Sequence, residues 1–467
     1  MNVFDTIAAV STPRGKGGIA VIRISGADAI NVAERVFFPK SKKPLSAIEH
    51  AKTVYGDIRA KDSDGAVINI DDGMATCFYA PRSFTGEDTV EISCHGGVLI
   101  TETVLEAVFA AGARPATAGE FTRRAFISGR MSLSQAQSLG ELLEARTHNQ
   151  LLLSRSGVRG VLSDKIEELY TKLGDVLSSI YAKIDFPDED LADMTREQML
   201  DAFTEVKRAV DNLAATYKTG RAVSEGIRTV ICGRTNAGKS SLYNRIVGRE
   251  AAIVTDIEGT TRDLLEETVA FGKVTLRLCD TAGLRETSDA VESIGVERAR
   301  RVMKDAELVL AVFDGTREPD REDEELLAEL KDSAACVIPV LNKRDAWIEN
   351  SPMAEIVRNA GFSNAVEISA ASGEGIDTLE KIVDEKFTDG EIDLRYDAVV
   401  ADARQYAALL QASEALGGVI GEMQAGYELD VCCIDAEGAM NALGEINGHH
   451  VGEDIVSSIF HKFCVGK

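Results

Sequence analysis

The chain has 467 residues, of which 45% are hydrophobic and 27% charged, an ordinary composition for a globular protein. This length exceeds what one compact core holds, so about three domains of ~100–200 residues are expected. The formal net charge of −25 repels nucleic acid at long range, which weighs against a general nucleic-acid-binding protein.

The cysteines and the chain start indicate a cellular compartment. None of the 8 cysteines forms a CxxC pair, so a zinc site has no support, and unpaired cysteines fit a reducing cytosol. The first residues lack a cationic stretch followed by an apolar core, so no signal peptide is predicted. No apolar run approaches the ~20 residues that span a bilayer. We expect a cytoplasmic protein without membrane attachment.

The first part of the chain mixes strand and helix patterns. IAVIRISG and DTVEISCHGG read as strands bounded by glycine-rich breaks. VLITETVLEAVFAAG reads as a helix that ends at Gly112. We therefore predict an α+β domain over residues 1–124.

The next part is helical. From Ser134 to about Thr219, apolar residues recur every three or four positions. The stretch IDFPDED interrupts this pattern, and Thr195 is predicted to cap the helix REQMLDAFTEVKRAV. Helical patterns return after about Phe387 and continue to the chain end.

A segment with alternating strand and helix patterns separates these helical parts. The apolar strands IRTVIC, VTLRLCD, LVLAVFD, CVIPVLN and AVEISA alternate with helices, which predicts a doubly wound parallel sheet. The simplest organisation is an α/β domain inserted into a helical domain. We predict a helical first part at 125–222, the inserted domain at 223–385, and a helical second part at 386–467.

A phosphate-binding loop opens the inserted domain. Residues Gly233 to Ser240 match GxxxxGK[ST] between a strand and a helix. Backbone N–H groups of such a loop wrap the β-phosphate, and the helix N-terminus adds a positive dipole. Lys239 is predicted to neutralise β/γ-phosphate charge and Ser240 to ligate Mg²⁺.

Three further segments follow in the order that a GTPase requires. In DTAG, Asp280 is placed to reach the Mg²⁺ shell and the N–H of Gly283 to sense the γ-phosphate. In NKRD, Asp345 is placed to accept the N1 and N2 protons of guanine, a geometry that adenine does not offer. The Ser369-Ala370 pair is predicted to close the base pocket. Each tetrapeptide alone is a weak signal, but the ordered set predicts GTP binding and hydrolysis.

The stretch GTTRD lies between the P-loop helix and DTAG. Thr261 is our choice to complete the Mg²⁺ shell when the γ-phosphate is present, and Thr260 is the alternative. Leu284 follows DTAG where Ras-type enzymes have a water-orienting Gln. Leucine cannot polarise water, so Glu286, Asp289 and Glu292 become candidates, although Glu286 and Asp289 read better as solvated charges.

The chain resembles a known family. GRTNAGKSSLYN, REAAIVTDIEGTTRD, DTAGLRET, NKRD and ISAASGEGID are similar to the GTPase domain of the MnmE (TrmE) family of tRNA-modifying GTPases, which belongs to the TrmE-Era-like GTPases. TPRGKGGIAVIRISG, FTGEDTVEISCHGG, GEFTRRAF, IDFPDED and FHKFCVGK extend the resemblance over essentially the whole chain.

The resemblance implies an architecture and a reaction. The family is a homodimer formed through an N-terminal α+β folate-binding domain, with a helical domain and an inserted Ras-like G domain. It works in the cytoplasm with MnmG, an FAD protein. Together they add a carboxymethylaminomethyl or aminomethyl group to carbon 5 of the tRNA wobble uridine. The implied one-carbon donor is 5,10-methylene- or 5-formyl-tetrahydrofolate.

The resemblance also assigns ions and catalytic groups in the G domain. Asn236 is implied to hold K⁺ together with Thr255, Ile257 and Thr260, at a site formed when two G domains meet. K⁺ then supplies the charge that an arginine finger supplies elsewhere. Glu292 aligns with the family's catalytic glutamate, which makes it the first choice for orienting the attacking water. The implied GTP-binding set comprises Asn236, Ala237, Gly238, Lys239, Ser240, Ser241, Thr255, Asp256, Ile257, Glu258, Gly259, Thr260, Thr261, Asp280, Thr281, Ala282, Gly283, Asn342, Lys343, Asp345, Ser369 and Ala370.

Folate contacts are implied at Arg23, Glu91, Arg130 and the C-terminal Lys467. A carboxylate such as Glu91 suits the amino edge of a pterin, and cations suit a glutamyl tail. Without the resemblance, Glu91 would read as an ion-pair partner and Arg23 as a surface charge. Cys464 is the family's C-terminal cysteine, for which a catalytic role and a structural role are about equally favoured.

Two other functions compete with a tRNA-modifying enzyme. A regulatory or ribosome-assembly GTPase of the Era-like class would use hydrolysis only to time a binding event. Such proteins usually carry a basic RNA-binding module, whereas this acidic chain ends in helices and FCVGK. A folate-binding scaffold with a vestigial GTPase is disfavoured by the complete nucleotide motif set.

Overall fold

The computed structural model describes residues 5–13, 15–61, 64–186, 194–249, 266–279, 305–347, 351–389, 392–449, 451–461, 463 and 465–466. The chain divides into two compact units, one formed by residues 1–140 with 444–467 and the other by 141–443. Within the described ranges, no helix combines the length and the apolar character that crossing a bilayer requires.

A seven-stranded sheet organises the first unit. Its strands are β1 (Ile7–Val10), β2 (Ile19–Ser25), β3 (Phe37–Pro39), β4 (Thr53–Lys61), β5 (Val67–Phe78), β6 (Thr89–His95) and β7 (Arg114–Pro115). The order is β3-β4-β5-β6-β2-β1-β7, and every pairing is antiparallel except that of β1 with β7. The predicted strands IAVIRISG and DTVEISCHGG are confirmed as β2 and β6, which the structure pairs as neighbours.

Helices α1 (Ala29–Glu34), α2 (Val98–Ala110) and α3 (Glu120–Ile127) accompany this sheet. Alternate residues of β2 and β6, such as Ile22 and Ile92, are fully buried in one core with Val104 of α2. The chain leaves α2 through Gly112, whose φ of +120° is accessible mainly to glycine. The predicted helix stop and the α+β class are confirmed.

The helical part of the chain contains α4 (Leu133–Glu144), α5 (His148–Val158), α6 (Val161–Asp185), α7 (Arg196–Ala215) and α8 (Tyr217–Ser224). The predicted cap of α7 is confirmed, because the Thr195 side chain accepts from the Gln198 N–H and the Gln198 side chain accepts in return from the Thr195 N–H. After the α/β part come α13 (Ala403–Ala425), α14 (Leu429–Asn447) and α15 (Glu453–Phe460). Helix α7 packs along α13, where Lys207 and Asp211 both bond Ser413.

Six strands form the second sheet: β8 (Ile227–Gly233), β9 (Glu266–Phe271), β10 (Val274–Cys279), β11 (Leu308–Asp314), β12 (Cys336–Asn342) and β13 (Val366–Glu367). Their order is β13-β12-β11-β8-β10-β9. Described helices beside it are α9 (Lys239–Arg249), α10 (Arg321–Lys331), α11 (Pro352–Asn359) and α12 (Ile376–Phe387).

One strand departs from the predicted parallel sheet. β9 pairs antiparallel with β10, while the other pairings are parallel. The cause is a two-residue connection, Gly272-Lys273, in which Gly272 has a φ of +60°. A parallel pair requires a long crossover, so this short link makes a hairpin and places β9 at the sheet edge.

The sheet is covered on both faces, which explains its apolar strands. All seven residues of β11 are buried. Leu310 and Ile338 belong to one core, and Val309 and Leu341 belong to the core on the opposite face. Because β8, β11, β12 and β13 run parallel, the loops that follow them meet at one edge of the sheet.

Candidate nucleotide site

The P-loop joins the end of β8 to the start of α9. The two glycines of the GxxxxGK[ST] pattern, Gly233 and Gly238, have φ values of +141° and +98°. Asn236, which lies between them, has a φ of +63°. A Cβ on Gly233 would collide with the carbonyl of Val312 on the adjacent strand β11. A Cβ on Gly238 would collide with the amide of Asn342. Both glycines are therefore required by the packing of the protein itself, as well as by the phosphates they are predicted to bind.

Lys239 lies over the loop that it follows. Its Nζ donates to the carbonyls of Gly233 at 2.9 Å and Arg234 at 2.8 Å. Burial lowers the pKa of the Lys239 ammonium. A half-buried cation at the N-terminus of α9 is suited to a phosphate, which would also relieve its desolvation. The Ser240 side chain, one residue on, is exposed and offers a hydroxyl oxygen of the kind that Mg²⁺ prefers.

Asn342 connects the P-loop to the base loop, the turn from Ser369 to Ser372 after β13 that is predicted to close the base pocket. Its Nδ2 donates to the carbonyl of Ala237 at 2.9 Å, and its Oδ1 accepts from the N–H of Ala370 at 2.9 Å. The side chain is buried, so both polar ends of the amide are satisfied inside the protein. Three of the sequence motifs are thereby held together by one side chain.

Lys343 and Asp345 lie in the connection after β12, with Lys343 capping the short turn Arg344–Ala346 and Asp345 within it. Lys343 has a φ of +65°, and its Nζ donates to Oδ2 of Asp314 at 2.6 Å. Burial opposes ionisation of Asp314, but the hydrogen bonds from Lys343 and Thr316 outweigh it and lower the pKa of Asp314. Asp345 is exposed at the sheet edge where the guanine base is predicted to bind.

The base loop is closed by its own backbone. The Ser369 carbonyl accepts from the Gly373 N–H at 2.8 Å, and the Ser369 N–H donates to the Glu374 carbonyl at 2.9 Å. The Ser369 hydroxyl accepts from the Ser372 N–H at 3.1 Å. This loop is therefore a compact turn at the end of β13, next to Asn342.

Arg234, the second P-loop residue, carries a contact that the sequence did not predict. Its guanidinium pairs with Asp320 and, at 2.6 Å, with Glu322. Asp320 also caps helix α10 by accepting from the Glu322 N–H at 3.0 Å. The sequence signal was the capping pattern Asp320-x-x-Asp323, but nothing in the sequence joined it to the P-loop.

Several predicted site residues lie outside the described residues. They comprise the first switch (Thr255, Asp256, Ile257, Glu258, Gly259, Thr260, Thr261), the DTAG segment (Asp280, Thr281, Ala282, Gly283), the candidates Glu286, Asp289 and Glu292, and the C-terminal Cys464 and Lys467. Of the residues assigned to Mg²⁺ and K⁺, the structure describes Ser240 and Asn236, both of them exposed.

Two of the residues that are predicted to bind folate contact each other in the first unit. Arg23 and Glu91 face each other on β2 and β6, and Arg23 Nε donates to Glu91 Oε1 at 2.9 Å. The Arg23 guanidinium also lies 5.2 Å from the ring centre of Phe84 and 5.6 Å from that of Phe121. Arg130 is exposed, and its Cγ would lie 3.1 Å from a Cβ on Gly86.

A partly buried charge network adjoins this group. Arg124 pairs with Asp5 at 2.6 Å, with Glu87 at 3.2 Å and with Glu120 at 3.1 Å. Arg114 completes the network by pairing with Asp5 and Glu120. The helical spacing of Glu120 and Arg124 was a usable sequence signal. The contributions of Asp5 and Glu87 depend on residues far apart in the chain.

Comparisons with known proteins identify the family. A model described as the GTP-binding protein TrmE N-terminus matches residues 6–130, and one described as the MnmE helical domain matches residues 133–464. The tRNA modification GTPase MnmE of Listeria innocua is 42% identical over 468 residues, which cover 99% of this chain and 100% of that protein. The chain belongs to the MnmE family.

Other MnmE proteins show the same full-length similarity. The tRNA modification GTPase MnmE of Natranaerobius thermophilus is 39% identical and covers 99% of each chain, and that of Clostridioides difficile is 38% identical and covers 100% of each. Together with the assembled P-loop and base loop, membership of the MnmE family makes this chain a GTP-hydrolysing enzyme. Its fold combines a TrmE-type α+β domain, a helical domain and a P-loop α/β domain.

Proposed function

We propose that this protein is a potassium-stimulated GTPase that acts in tRNA modification. With the FAD protein MnmG, it adds a carboxymethylaminomethyl or aminomethyl group to carbon 5 of the wobble uridine, using a tetrahydrofolate one-carbon unit. The observation that carries the proposal is the Asn342 amide, which joins P-loop and base loop in a chain that matches MnmE proteins from end to end.

GTP binding is proposed from described residues of the P-loop and base loop, with Thr261 added from the first switch. Lys239 leaves its two loop carbonyls to hold β/γ-phosphate oxygens, and Ser240 with Thr261 would hold Mg²⁺. Asp345 pairs with the N1 and N2 protons of guanine, while the Ser369-Ala370 turn covers the base. Mg²⁺ neutralises charge on the transferred phosphoryl group when it is bound.

Potassium and water are assigned to the switch region. Asn236 would hold K⁺ with Thr255, Ile257 and Thr260 as two G domains meet in the homodimer. Support comes from the exposure of Asn236, which leaves its side-chain oxygen accessible to a cation. Glu292 orients the attacking water, the role that Leu284 cannot perform.

Folate is proposed to bind at the Arg23–Glu91 pair with help from Arg130 and Lys467. The Glu91 side chain is 29% exposed and Arg23 is 18% exposed, so a ligand has access to both. Arg23 holds one carboxylate oxygen of Glu91, which fixes that carboxylate for the amino edge of a pterin. Cys464 is kept as a candidate for the modification chemistry.

The wider arrangement follows from the same proposal. Residues 1–124 form the folate and dimerisation domain, 223–385 form the G domain, and 125–222 with 386–467 form the helical domain. The homodimer works in the cytoplasm with MnmG and tRNA. Because the chain is acidic, attraction of tRNA is assigned mainly to the partner.

Mass spectrometry of tRNA from a deletion strain tests this function. Loss of the modified wobble uridine, restored by the wild-type gene, is expected; unchanged uridines would instead favour a regulatory or ribosome-assembly switch. Complementation with Glu91→Ala should fail although this variant retains GTP hydrolysis. Glu453→Ala is the matched control, because Glu453 is an exposed partner of Arg123 in the same unit and its loss should leave the modification intact.

A further inference from the structure

Arg245 lies on the P-loop helix α9 and reaches the base loop. Its Nε donates to the carbonyl of Ala370 at 3.1 Å, and its Nη2 donates to the carbonyl of Ala371. The side chain is half-buried. Two donors in a fixed planar arrangement thus hold two consecutive carbonyls, and the rigid guanidinium fixes their relative positions more firmly than the freely rotating ammonium of a lysine would.

The same loop is held from its other side by Asn342. The Ala370 N–H donates to Asn342 Oδ1 at 2.9 Å, while the Ala370 carbonyl accepts from Arg245. Both polar groups of one peptide residue are therefore bound by side chains from different elements, β12 and α9. Since α9 begins at the P-loop, Arg245 links the base loop to the element that binds the phosphates.

We propose that Arg245 is a positioning residue for the guanine base, which fixes the turn from Ser369 to Ser372 before the nucleotide arrives. This inference rests on the guanine-nucleotide site proposed above. A loop that is already ordered loses less conformational entropy on binding, so the tether raises affinity. The gain is expected mainly in slower nucleotide dissociation.

Stopped-flow release of a fluorescent GDP analogue from the full-length protein tests the proposal. Arg245→Ala should release GDP about three- to tenfold faster, because the two lost hydrogen bonds order the base loop and only part of their free energy is expressed in nucleotide binding. Arg245→Lys should lie between wild type and Arg245→Ala. The turnover number at saturating GTP should stay within about twofold of wild type, because Arg245 bonds carbonyls of the base loop rather than of the P-loop.

Arg358→Ala is the matched control. Arg358 Nε also donates to a backbone carbonyl, that of Ala354, at 3.1 Å, but on helix α11 away from the base loop. Its loss should leave GDP release unchanged. Equal release rates for wild type and Arg245→Ala, or an equal acceleration in Arg358→Ala, would overturn the proposal.

Inorganic pyrophosphate separates loop positioning from a general charge effect. Competition with pyrophosphate should give the same affinity for wild type and Arg245→Ala, because pyrophosphate has no base. If Arg245→Ala weakens pyrophosphate as much as GDP, Arg245 acts on the phosphates and the inference is wrong. A wild-type protein that fails to bind GDP would instead refute the proposed function.

Discussion

The side-chain amide of Asn342 donates a 2.9 Å hydrogen bond to the carbonyl of Ala237 in the P-loop. The contact is possible because the next residue, Gly238, has no Cβ, which would occupy the position of the Asn342 amide. The glycine before the P-loop lysine therefore has two functions. It exposes backbone N–H groups to phosphate, and it admits the side chain that ties the P-loop to the base loop.

Asn342→Ala should weaken GDP binding about 10- to 100-fold. The substitution removes the bonds to Ala237 and Ala370 and leaves a buried carbonyl and N–H without their partners. Isothermal titration with GDP measures the change. Affinity within twofold of wild type would show that the bridge between the loops does not matter for binding.

Potassium should accelerate GTP hydrolysis on the order of tenfold over sodium at equal ionic strength. The expected cause is a larger cation that fits Asn236 and the switch residues and adds positive charge at the developing phosphate charge. Steady-state phosphate release in KCl and NaCl gives the comparison. Equal rates in the two salts would remove the potassium assignment.

Glu292→Ala should bind GTP with near-normal affinity but hydrolyse it about 100-fold more slowly. Removing a group that orients and polarises water costs catalysis without removing a contact to the ground-state nucleotide. Single-turnover hydrolysis, with binding measured separately, resolves the two effects. Near-normal turnover would reassign the role to Glu286 or Asp289.

The described parts of the fold were largely predictable, because local patterns determine them. Apolar runs identified β8, β10, β11 and β12, and Thr195 identified the start of α7. Local patterns did not identify β9, since its pairing depends on the tight turn at Gly272 rather than on its own sequence. The motifs predict which residues bind the nucleotide, but the contacts of Arg234 and Arg245 join segments more than eighty residues apart and leave no local signal.

The first unit should lose stability at acid pH through Glu120. Burial alone raises the pKa of this carboxyl, but hydrogen bonds from Arg114, the Thr117 N–H and Arg124 outweigh it and lower the pKa to about 2 from an ordinary 4.5. A lowered pKa contributes stability above pH ~4.5 that is lost as pH falls towards ~2, roughly 3 kcal/mol in all.

Hydrogen exchange of helix α3 measures this effect after correction for intrinsic exchange rates. Protection in wild type should fall between pH 4.5 and 2.5. Glu120→Gln should be less protected at pH 5 and should change less over the same interval. A wild-type profile parallel to that of Glu120→Gln would contradict the assignment of Glu120.

Side-by-side titration of the purified protein with GTP and ATP in Mg²⁺ and K⁺ is the most direct measurement. The arrangement of Lys239, Asn342 and Asp345 predicts binding of GTP at least about 100-fold tighter than ATP. Asp345→Asn should lose this preference and gain affinity for xanthosine triphosphate, whose 2-oxo group accepts from the new amide. Equal binding of GTP and ATP by the wild-type protein, or tighter binding of ATP, would contradict a guanine-specific site.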